Sequence, residues 1–158
     1  MENRLEDLRT SRDLKKFEIA KIIGVVPSIY CEWENDRLTI PTKRLYELAE
    51  YFEINIDYML RLDNEKKRIK KNVAINREIV ANNLKKIRKD INISMREEAK
   101  ILNTTSSVVS NFENNKTLIL STFLVDLCKK TNYSIDWVLG RSNIKKINIS
   151  NKNCIKIK

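Results

Sequence analysis

The chain has 158 residues, a formal charge of +10, two glycines, two prolines and no histidine. So few glycines and prolines argue against hairpin-rich barrels and glycine-rich phosphate loops, whereas helices tolerate their scarcity, so the composition predicts an all-α fold. The absence of histidine excludes histidine-dependent nucleophilic catalysis and zinc sites that use imidazole, and the positive charge indicates a polyanionic partner.

The chain repeats itself without a gap at an offset of 79 residues. The run Ala20-Lys21-Ile22-Ile23 aligns with Ala99-Lys100-Ile101-Leu102, and Trp33-Glu34-Asn35 aligns with Phe112-Glu113-Asn114. The register holds over more than fifty residues. It therefore predicts a duplicated domain of roughly 60 residues, which is within the size range of a small independent domain.

Five short helices are predicted in the first copy. Gly24 supplies the positive φ of the turn between the second and third helices. Pro27 and Pro41 are predicted in the first turns of the third and fourth helices, where a missing N–H costs little. Asn55 is predicted to cap the fifth helix, whereas Lys15 is a poor cap for the second.

The second copy carries clearer helix signals. Its first helix is predicted from Arg77 to about Lys89. Ser94 caps the second helix, and Glu97 three residues later completes a capping box. Asn103 tolerates the left-handed conformation of the tight turn that follows. Thr105 is predicted to cap the third helix, Ser121 or Thr122 to start the fourth, and Ser134 to cap the fifth.

In each copy two helices joined by three or four residues make a helix-turn-helix. With residues 24–25, 33–35 and 55–58 in the first copy, and 105–114 and 132–140 in the second, both copies resemble the phage-repressor-like (Cro/repressor, xenobiotic-response-element) family. The resemblance implies two tandem five-helix lambda-repressor-like helix-turn-helix domains, joined by a basic linker and followed by a basic C-terminal tail. The expected boundaries are 1–62 for the first domain, 63–76 for the linker, 77–142 for the second domain and 143–158 for the tail.

The resemblance also implies which residues bind DNA. The family reads bases with the start and outer face of the third helix, which in the second copy carries Ser106, Ser107, Ser110 and Asn111. An asparagine can pair bidentately with adenine, and a serine can bond to several bases. Phosphate contacts, which set affinity and register rather than sequence, correspond to Ser94, Thr105, Asn115, Lys116 and Thr117 and to the backbone amides of residues 114–117.

The first copy departs from this pattern. Its base-reading positions are Pro27, Ser28 and Glu32, and its phosphate positions are Lys15, Lys16 and Arg37. Glu32 stands where the second copy has Asn111; a carboxylate can accept from cytosine N4, but negative charge near phosphates usually weakens binding. DNA contact by the first copy therefore stays open beside dimerisation or recognition of a protein partner.

Two pairs of residues match a family ion pair between the first helix and the end of the third. These pairs are Arg9 with Glu34 and Arg88 with Glu113, and we interpret them as structural. If such a pair is partly buried, deletion of one partner leaves the other charge without compensation and should cost several kcal/mol.

Positive charge is concentrated after the first copy. Residues 1–62 have a balance of −2, and residues 142–158 carry five lysines and no acid. The basic cluster at 66–71 is interpreted either as a solvated linker or as a strap on phosphates. Fully extended, residues 62–76 would span about 45–50 Å, more than the roughly 34 Å between half-sites one helical turn apart. The tail is interpreted as a basic arm, a short strand or a disordered segment.

We therefore expect a transcriptional regulator, most simply a repressor, that binds double-stranded DNA. Three dispersed cysteines (Cys31, Cys128 and Cys154) form no CxxC pair, and a charged start without an apolar segment favours the cytoplasm. No catalysis, metal, cofactor or membrane contact is expected. The alternative is an interaction module, antitoxin-like or inhibitory, that forms a homodimer or binds a protein antagonist through the first domain.

Overall fold

The computed structural model describes residues 1–147, and within that range it contains ten α-helices and two isolated β-bridges. The chain divides into two compact units, Met1–Asn72 and Val73–Lys158. Each unit contributes five helices in the order predicted for one copy, which confirms the all-α fold and the tandem repeat. Residues 148–158 of the expected basic tail, with Cys154, lie outside the described residues.

Helix bounds correspond closely between the two units. The first unit contains α1 (Leu5–Thr10), α2 (Lys16–Ile23), α3 (Pro27–Glu34), α4 (Thr42–Phe52) and α5 (Ile56–Met59). The second contains α6 (Arg77–Asp90), α7 (Met95–Ile101), α8 (Ser106–Glu113), α9 (Ser121–Thr131) and α10 (Ile135–Val138). The core of each unit is built from aligned residues that are at most 1% exposed, namely Leu5 and Leu84, Leu45 and Leu124, Leu48 and Leu127, and Ile56 and Ile135.

The predicted side-chain caps of the second unit are confirmed. The Glu97 N–H donates to Ser94 Oγ (3.2 Å) and the Ser94 N–H donates to Glu97 Oε2 (2.7 Å), which completes the capping box. Thr105 Oγ1 accepts from the Val108 N–H at 3.4 Å. Ser134 Oγ accepts from the Trp137 N–H at 3.2 Å. These bonds satisfy N–H groups that have no partner within their helices.

The caps of the first unit differ in part from the prediction. Pro27 is the first residue of α3, as expected, but Pro41 precedes α4 as its N-cap. Asn55 stands at the N-cap of α5 without a side-chain cap bond, so its predicted capping role is wrong. Its side chain instead accepts from the Lys67 N–H (2.9 Å) and donates to the carbonyl of Glu65 (3.1 Å).

Left-handed residues recur at the offset of the repeat. The aligned positive-φ positions are Asp13 and Asn92, Gly24 and Asn103, Asp36 and Asn115, Glu53 and Asn132, and Arg61 and Gly140. The second unit uses only asparagine and glycine at these positions, the residues that adopt this conformation at least cost. The first unit places Glu53 and Arg61 there, so its local sequence fits the same backbone less well.

The chain folds back on its own unit after the fifth helix in both copies. In the first unit the Asn55 N–H donates to the Lys67 carbonyl (3.0 Å), and in the second the Ser134 N–H donates to the Lys145 carbonyl (2.9 Å). The second return is one residue shorter relative to the 79-residue offset. The structural repeat therefore extends beyond the predicted 60 residues and includes this return segment.

The basic cluster that follows α5 is held by acidic residues of the first unit. Arg68 and Lys70 each contact a carboxylate oxygen of Glu53 at 2.7 Å, and these contacts lower the pKa of Glu53. The N–H groups of residues 71 and 72 donate to Glu50 Oε2, both at 2.9 Å. The extended span expected for residues 62–76 does not hold, because residues 67–72 are bonded to the first unit.

Candidate nucleic-acid interface

Both units contain a helix-turn-helix with the same turn geometry. Helices α7 and α8 are separated by four residues, with Asn103 at φ 51° and the Thr104 N–H donating to the Ala99 carbonyl at 2.8 Å. In the first unit Gly24 has φ 72° and the Val25 N–H donates to the Ala20 carbonyl at 2.9 Å. A left-handed residue closes each turn, and the aligned residue after it makes the same backbone hydrogen bond in both units.

One face of α8 is buried and the other is accessible. Val109 and Phe112 are 1% and 6% exposed and form the core side. The predicted base-reading residues lie away from that side: Ser107 is exposed, and Ser106, Ser110 and Asn111 are partly exposed. Within residues 1–147 no hydrogen bond engages the Asn111 side-chain amide. Its donor and acceptor are both available to a base edge.

Two of the predicted contacts in the second unit are already engaged by the protein. Ser110 Oγ accepts from Asn114 Nδ2 at 3.0 Å, which leaves only part of its bonding capacity for DNA. The Ser94 hydroxyl donates to Glu97 Oε2 at 2.8 Å and accepts from the Glu97 N–H. Thr105 Oγ1 acts as an acceptor in its cap, so its O–H is left as a donor at the start of α8.

The backbone amides expected to bind phosphate are not available. Those of Lys116 and Thr117 donate to the Asn111 carbonyl at 2.9 and 3.3 Å, and those of residues 114 and 115 donate to carbonyls of α8. Only the exposed side chains of this loop, and not its backbone N–H groups, are therefore available to contact phosphates. Arg77 of α6 braces the loop by donating to the Lys116 carbonyl at 3.0 Å, a contact that the sequence did not indicate.

The same surface of the first unit is arranged differently. Arg37 Nη1 lies 3.7 Å from Glu32 Oε1, so the residue aligned with Asn111 contacts the residue aligned with Lys116. Lys16 Nζ lies 3.2 Å from Glu34 Oε2, and this hydrogen bond raises the pKa of Lys16. Lys15, Pro27 and Ser28 are exposed. Two of the three cations predicted to contact phosphate are thus paired with carboxylates.

The structural ion pairs lie behind these surfaces. Arg9 Nε contacts Glu34 Oε1 and Arg88 Nε contacts Glu113 Oε1, both at 2.5 Å. The carboxylates are almost fully buried, with 2% and 1% of their side chains exposed. Each pair joins the first helix of its unit to the end of the third, so it fixes the helix that presents the outer face.

Sequence reasoning missed a second carboxylate beside Arg88. Glu98 of α7 is 2% exposed, and its Oε2 lies 3.7 Å from Arg88 Nε without a hydrogen-bond partner among the described residues. Burial, and then the neighbouring Glu113, raise the pKa of Glu98 to about 7. Comparison of the two copies could have drawn attention to Glu98, because the residue aligned with it in the first copy is the hydrophobic Ile19, which is buried.

A second buried ion pair was also missed. Asp136 lies in α10 and Arg141 follows that helix. Both residues are 1% exposed, and they are hydrogen-bonded to each other. Leu62 occupies the position of Arg141 in the first copy, so comparison of the copies gave no indication of this pair. It fixes the turn from α10 into the return segment.

Other classes of site find no support in the described part of the chain. Across residues 1–147, no cluster of three or more cysteine, aspartate or glutamate side chains is placed to hold a metal ion. In the same range no helix combines the length and apolar character needed to cross a membrane. Among these residues Cys128 is buried and Cys31 is partly exposed, and neither is joined in a disulfide.

Comparison with known proteins identifies both units. A family model described as a helix-turn-helix domain matches residues 3–65, and a second model described as helix-turn-helix matches residues 84–138. Neither the curated proteins nor the solved structures compared with the chain gave a significant match. The two matched segments fall on the two copies of the repeat, one in each compact unit.

Proposed function

The chain belongs to the helix-turn-helix DNA-binding regulators of the Cro/repressor-like type, and on this basis we propose that it reads a specific duplex sequence with α8. The observation that carries this proposal is the accessible face of α8, where the Asn111 amide, which no hydrogen bond engages in the described part of the chain, lies beside small serines. Occupation of an operator by this helix would block transcription, so the regulator acts as a repressor.

The composition of α8 suits close approach to base edges. Ser106 and Ser107 are small, and they occupy the first turn, where the helix has partial positive charge. Asn111 lies on the same outer face, where its amide can pair with adenine N6 and N7 in the major groove. We expect the Thr105 O–H and the exposed Lys116 side chain, which lie before and after the helix, to contact phosphates.

Charge favours the second unit as the DNA partner. From residue 73 onward the chain has 16 basic and 7 acidic side chains, a formal charge of +9. Residues 1–72 have 15 basic and 14 acidic side chains, a formal charge of +1. Because neutralisation of phosphates by Lys and Arg releases counterions, we expect affinity to reside in the second unit and to fall steeply with salt.

The experiment is a selection of bound sequences from random DNA, followed by titrations of the selected site and of a random duplex. Asn111→Ala should weaken the selected site by about 10- to 100-fold, the value of one bidentate base contact, and leave the random duplex nearly unchanged. Lys116→Ala should weaken both duplexes about equally and lower the salt slope by about 1.

The repeat supplies matched controls for these substitutions. Glu32→Ala and Arg37→Ala change the aligned residues of the first unit and should leave both affinities unchanged, because α3 is not the reading helix in this proposal. Equal losses on both duplexes for Asn111→Ala would remove it from base reading. If no duplex binds at low salt, the proposed function is wrong.

A further inference from the structure

Among the described residues, the buried ion pair of the second unit contains one cation and two carboxyl groups. Arg88 Nε lies 2.5 Å from Glu113 Oε1 and 3.7 Å from Glu98 Oε2, and Arg88 Nη2 donates to Glu113 Oε2 at 2.8 Å. The guanidinium therefore binds Glu113 through two hydrogen bonds, whereas Glu98 Oε2 has no hydrogen-bond partner within residues 1–147. Both carboxyl side chains are at most 3% exposed, so ionisation of both leaves one buried charge without compensation.

The first unit has the opposite charge balance at the aligned positions. There the carboxylate of Glu34 is paired with the arginine of α1 and also lies 3.2 Å from Lys16 Nζ. Lys16 aligns with Met95, and Ile19 aligns with Glu98. The second copy therefore lacks a cation and has an additional buried carboxyl. An unbonded buried carboxyl costs stability that isoleucine does not, so its presence points to a role other than packing.

The ion pair is connected directly to the residues proposed to face DNA. Glu113 is the last residue of α8, two positions after Asn111 and three before Lys116. The Asn111 carbonyl accepts from the N–H groups of Lys116 and Thr117 at 2.9 and 3.3 Å. Because Arg88 belongs to α6, its bonds to Glu113 fix this end of α8, and the loop that follows it, to the first helix of the unit.

The surroundings of Glu98 place its ionisation near neutral pH. Burial, and then Glu113 of α8, raise the pKa of its carboxyl group, whereas Arg88 of α6 lowers it, and the pKa is about 7. On α9, Lys130 donates to a carbonyl at the end of α7, and Cys128 is a buried thiol. The chain has no histidine, the side chain that ordinarily titrates in this range. The other charged side chains of α7 are exposed, and they are Arg96, Glu97 and Lys100.

We propose that Glu98 is a positioning residue for α8 and that loss of its proton weakens binding of the operator, an inference that rests on the proposed function. With a neutral Glu98, Arg88 stays bound to Glu113 and holds the end of α8. An ionised Glu98 competes with Glu113 for Arg88 and loosens that end. Duplex phosphates near α8 add negative potential, which also favours the protonated carboxyl. Both effects have the same sign, so the DNA complex holds this proton more tightly than the free chain.

The first test measures affinity for the selected site between pH 6 and pH 8. Below pH 7 Glu98 is protonated in the free and bound chains, and above pH 7 the bound chain retains a proton that the free chain has lost. The wild-type affinity should therefore fall about three- to tenfold, since each unit by which DNA raises the pKa is a factor of ten. Glu98→Gln cannot ionise and should bind equally at both pH values. Glu78→Gln, which removes an exposed carboxyl of α6, should keep the wild-type pH dependence.

The second test needs no DNA. Hydrogen exchange of the Lys116 and Thr117 N–H groups reports whether the end of α8 is held, and the Leu124 N–H, which donates to the Leu120 carbonyl at 3.0 Å, is the reference within the same unit. Relative to this reference, the wild-type protection should fall about three- to tenfold from pH 6 to pH 8, because local opening relieves the same buried charge. Glu98→Gln should show no such fall.

The outcomes separate this inference from the proposed function. If the selected site is bound with an affinity that does not depend on pH, or that falls equally in wild type and Glu98→Gln, the inference is wrong and the proposed function stands. A pH-dependent affinity with pH-independent protection refutes the positioning role. If no duplex binds at any pH, the proposed function is wrong, and hydrogen exchange alone decides whether the proton of Glu98 positions α8.

A second variant removes the dependence on one substitution. Glu98→Ile introduces the residue of the first copy, and it should show the same constant affinity and protection between pH 6 and pH 8 as Glu98→Gln. Circular dichroism verifies that both variants are folded. A folded Glu98→Ile that keeps the wild-type pH dependence assigns the titration to another group and overturns the proposal.

Discussion

Replacement of Glu98 by isoleucine should stabilise the second unit at neutral and alkaline pH. Isoleucine is the residue that the first unit buries at the aligned position, where Ile19 is 0% exposed. Glu98 is 2% exposed, but its Oε2 has no hydrogen-bond partner within residues 1–147, and Arg88 is already paired with Glu113. Its ionised form is therefore poorly compensated in the folded state.

The size of the destabilisation by ionised Glu98 follows from the raised pKa of its carboxyl group. The folded value of about 7, against an ordinary value of 4.5, corresponds to about 3 kcal/mol of destabilisation once Glu98 is ionised in both states. Below pH 4.5 the carboxyl is protonated in both states and the destabilisation is absent. Between pH 4.5 and 7 the folded state holds a proton that the unfolded state has lost, so the free energy of unfolding falls as pH rises. Above pH 7 the full destabilisation is present.

The assay is urea unfolding across this pH range, followed by tryptophan fluorescence. The chain has two tryptophans, Trp33 and Trp137, one in each unit. A Trp33→Phe background, which introduces the residue of the second copy, leaves Trp137 to report on the second unit. Glu98→Gln removes the titrating group with little change of shape and should abolish the fall in stability between pH 4.5 and 7.

Glu78→Gln is the control for Glu98→Gln. Glu78→Gln removes the same charge from an exposed position of α6 and should leave the pH dependence in place. If wild type and Glu98→Gln lose stability equally between pH 4.5 and 7, Glu98 does not hold its proton in the folded state. The reasoning from its burial would then be wrong.

Two further predictions each compare a residue of the first unit with a residue of the second. Arg88→Met should cost the second unit about 3–5 kcal/mol in urea unfolding, because it leaves buried carboxylates unpaired. Arg9→Met should cost the first unit less, since a lysine also contacts its carboxylate; equal costs would contradict this. Gly24→Ala should cost about 1–2 kcal/mol because of its positive φ, with nothing within 4 Å of the added Cβ. Gly140→Ala should cost more, because its Cβ would lie 3.0 Å from Ile79 Cγ2, and thermal unfolding that ranks the two glycines the other way would refute this.

The DNA-facing surface could be predicted only in part. The sequence located α8 and its outer residues, because a capped helix with Val109 and Phe112 on one side must present the opposite side to solvent. It could not show that the amides of residues 114–117 are already bonded to α8, or that Ser110 is bonded to Asn114. Those contacts depend on the path of the loop, which no single residue type specifies.

The sequence by itself determined the repeat, the five-helix order, the Ser94, Thr105 and Ser134 caps and the turns at Gly24 and Asn103. The caps and turns depend on a residue's own φ preference or on a neighbour three residues away, so that information is local, whereas the repeat follows from comparison of the two copies. Only the tertiary structure decided that Asn55 bonds the return segment and that Glu98 joins the Arg88 pair. Such contacts join residues that lie ten or more positions apart, and they form only when packing of the core brings the elements together.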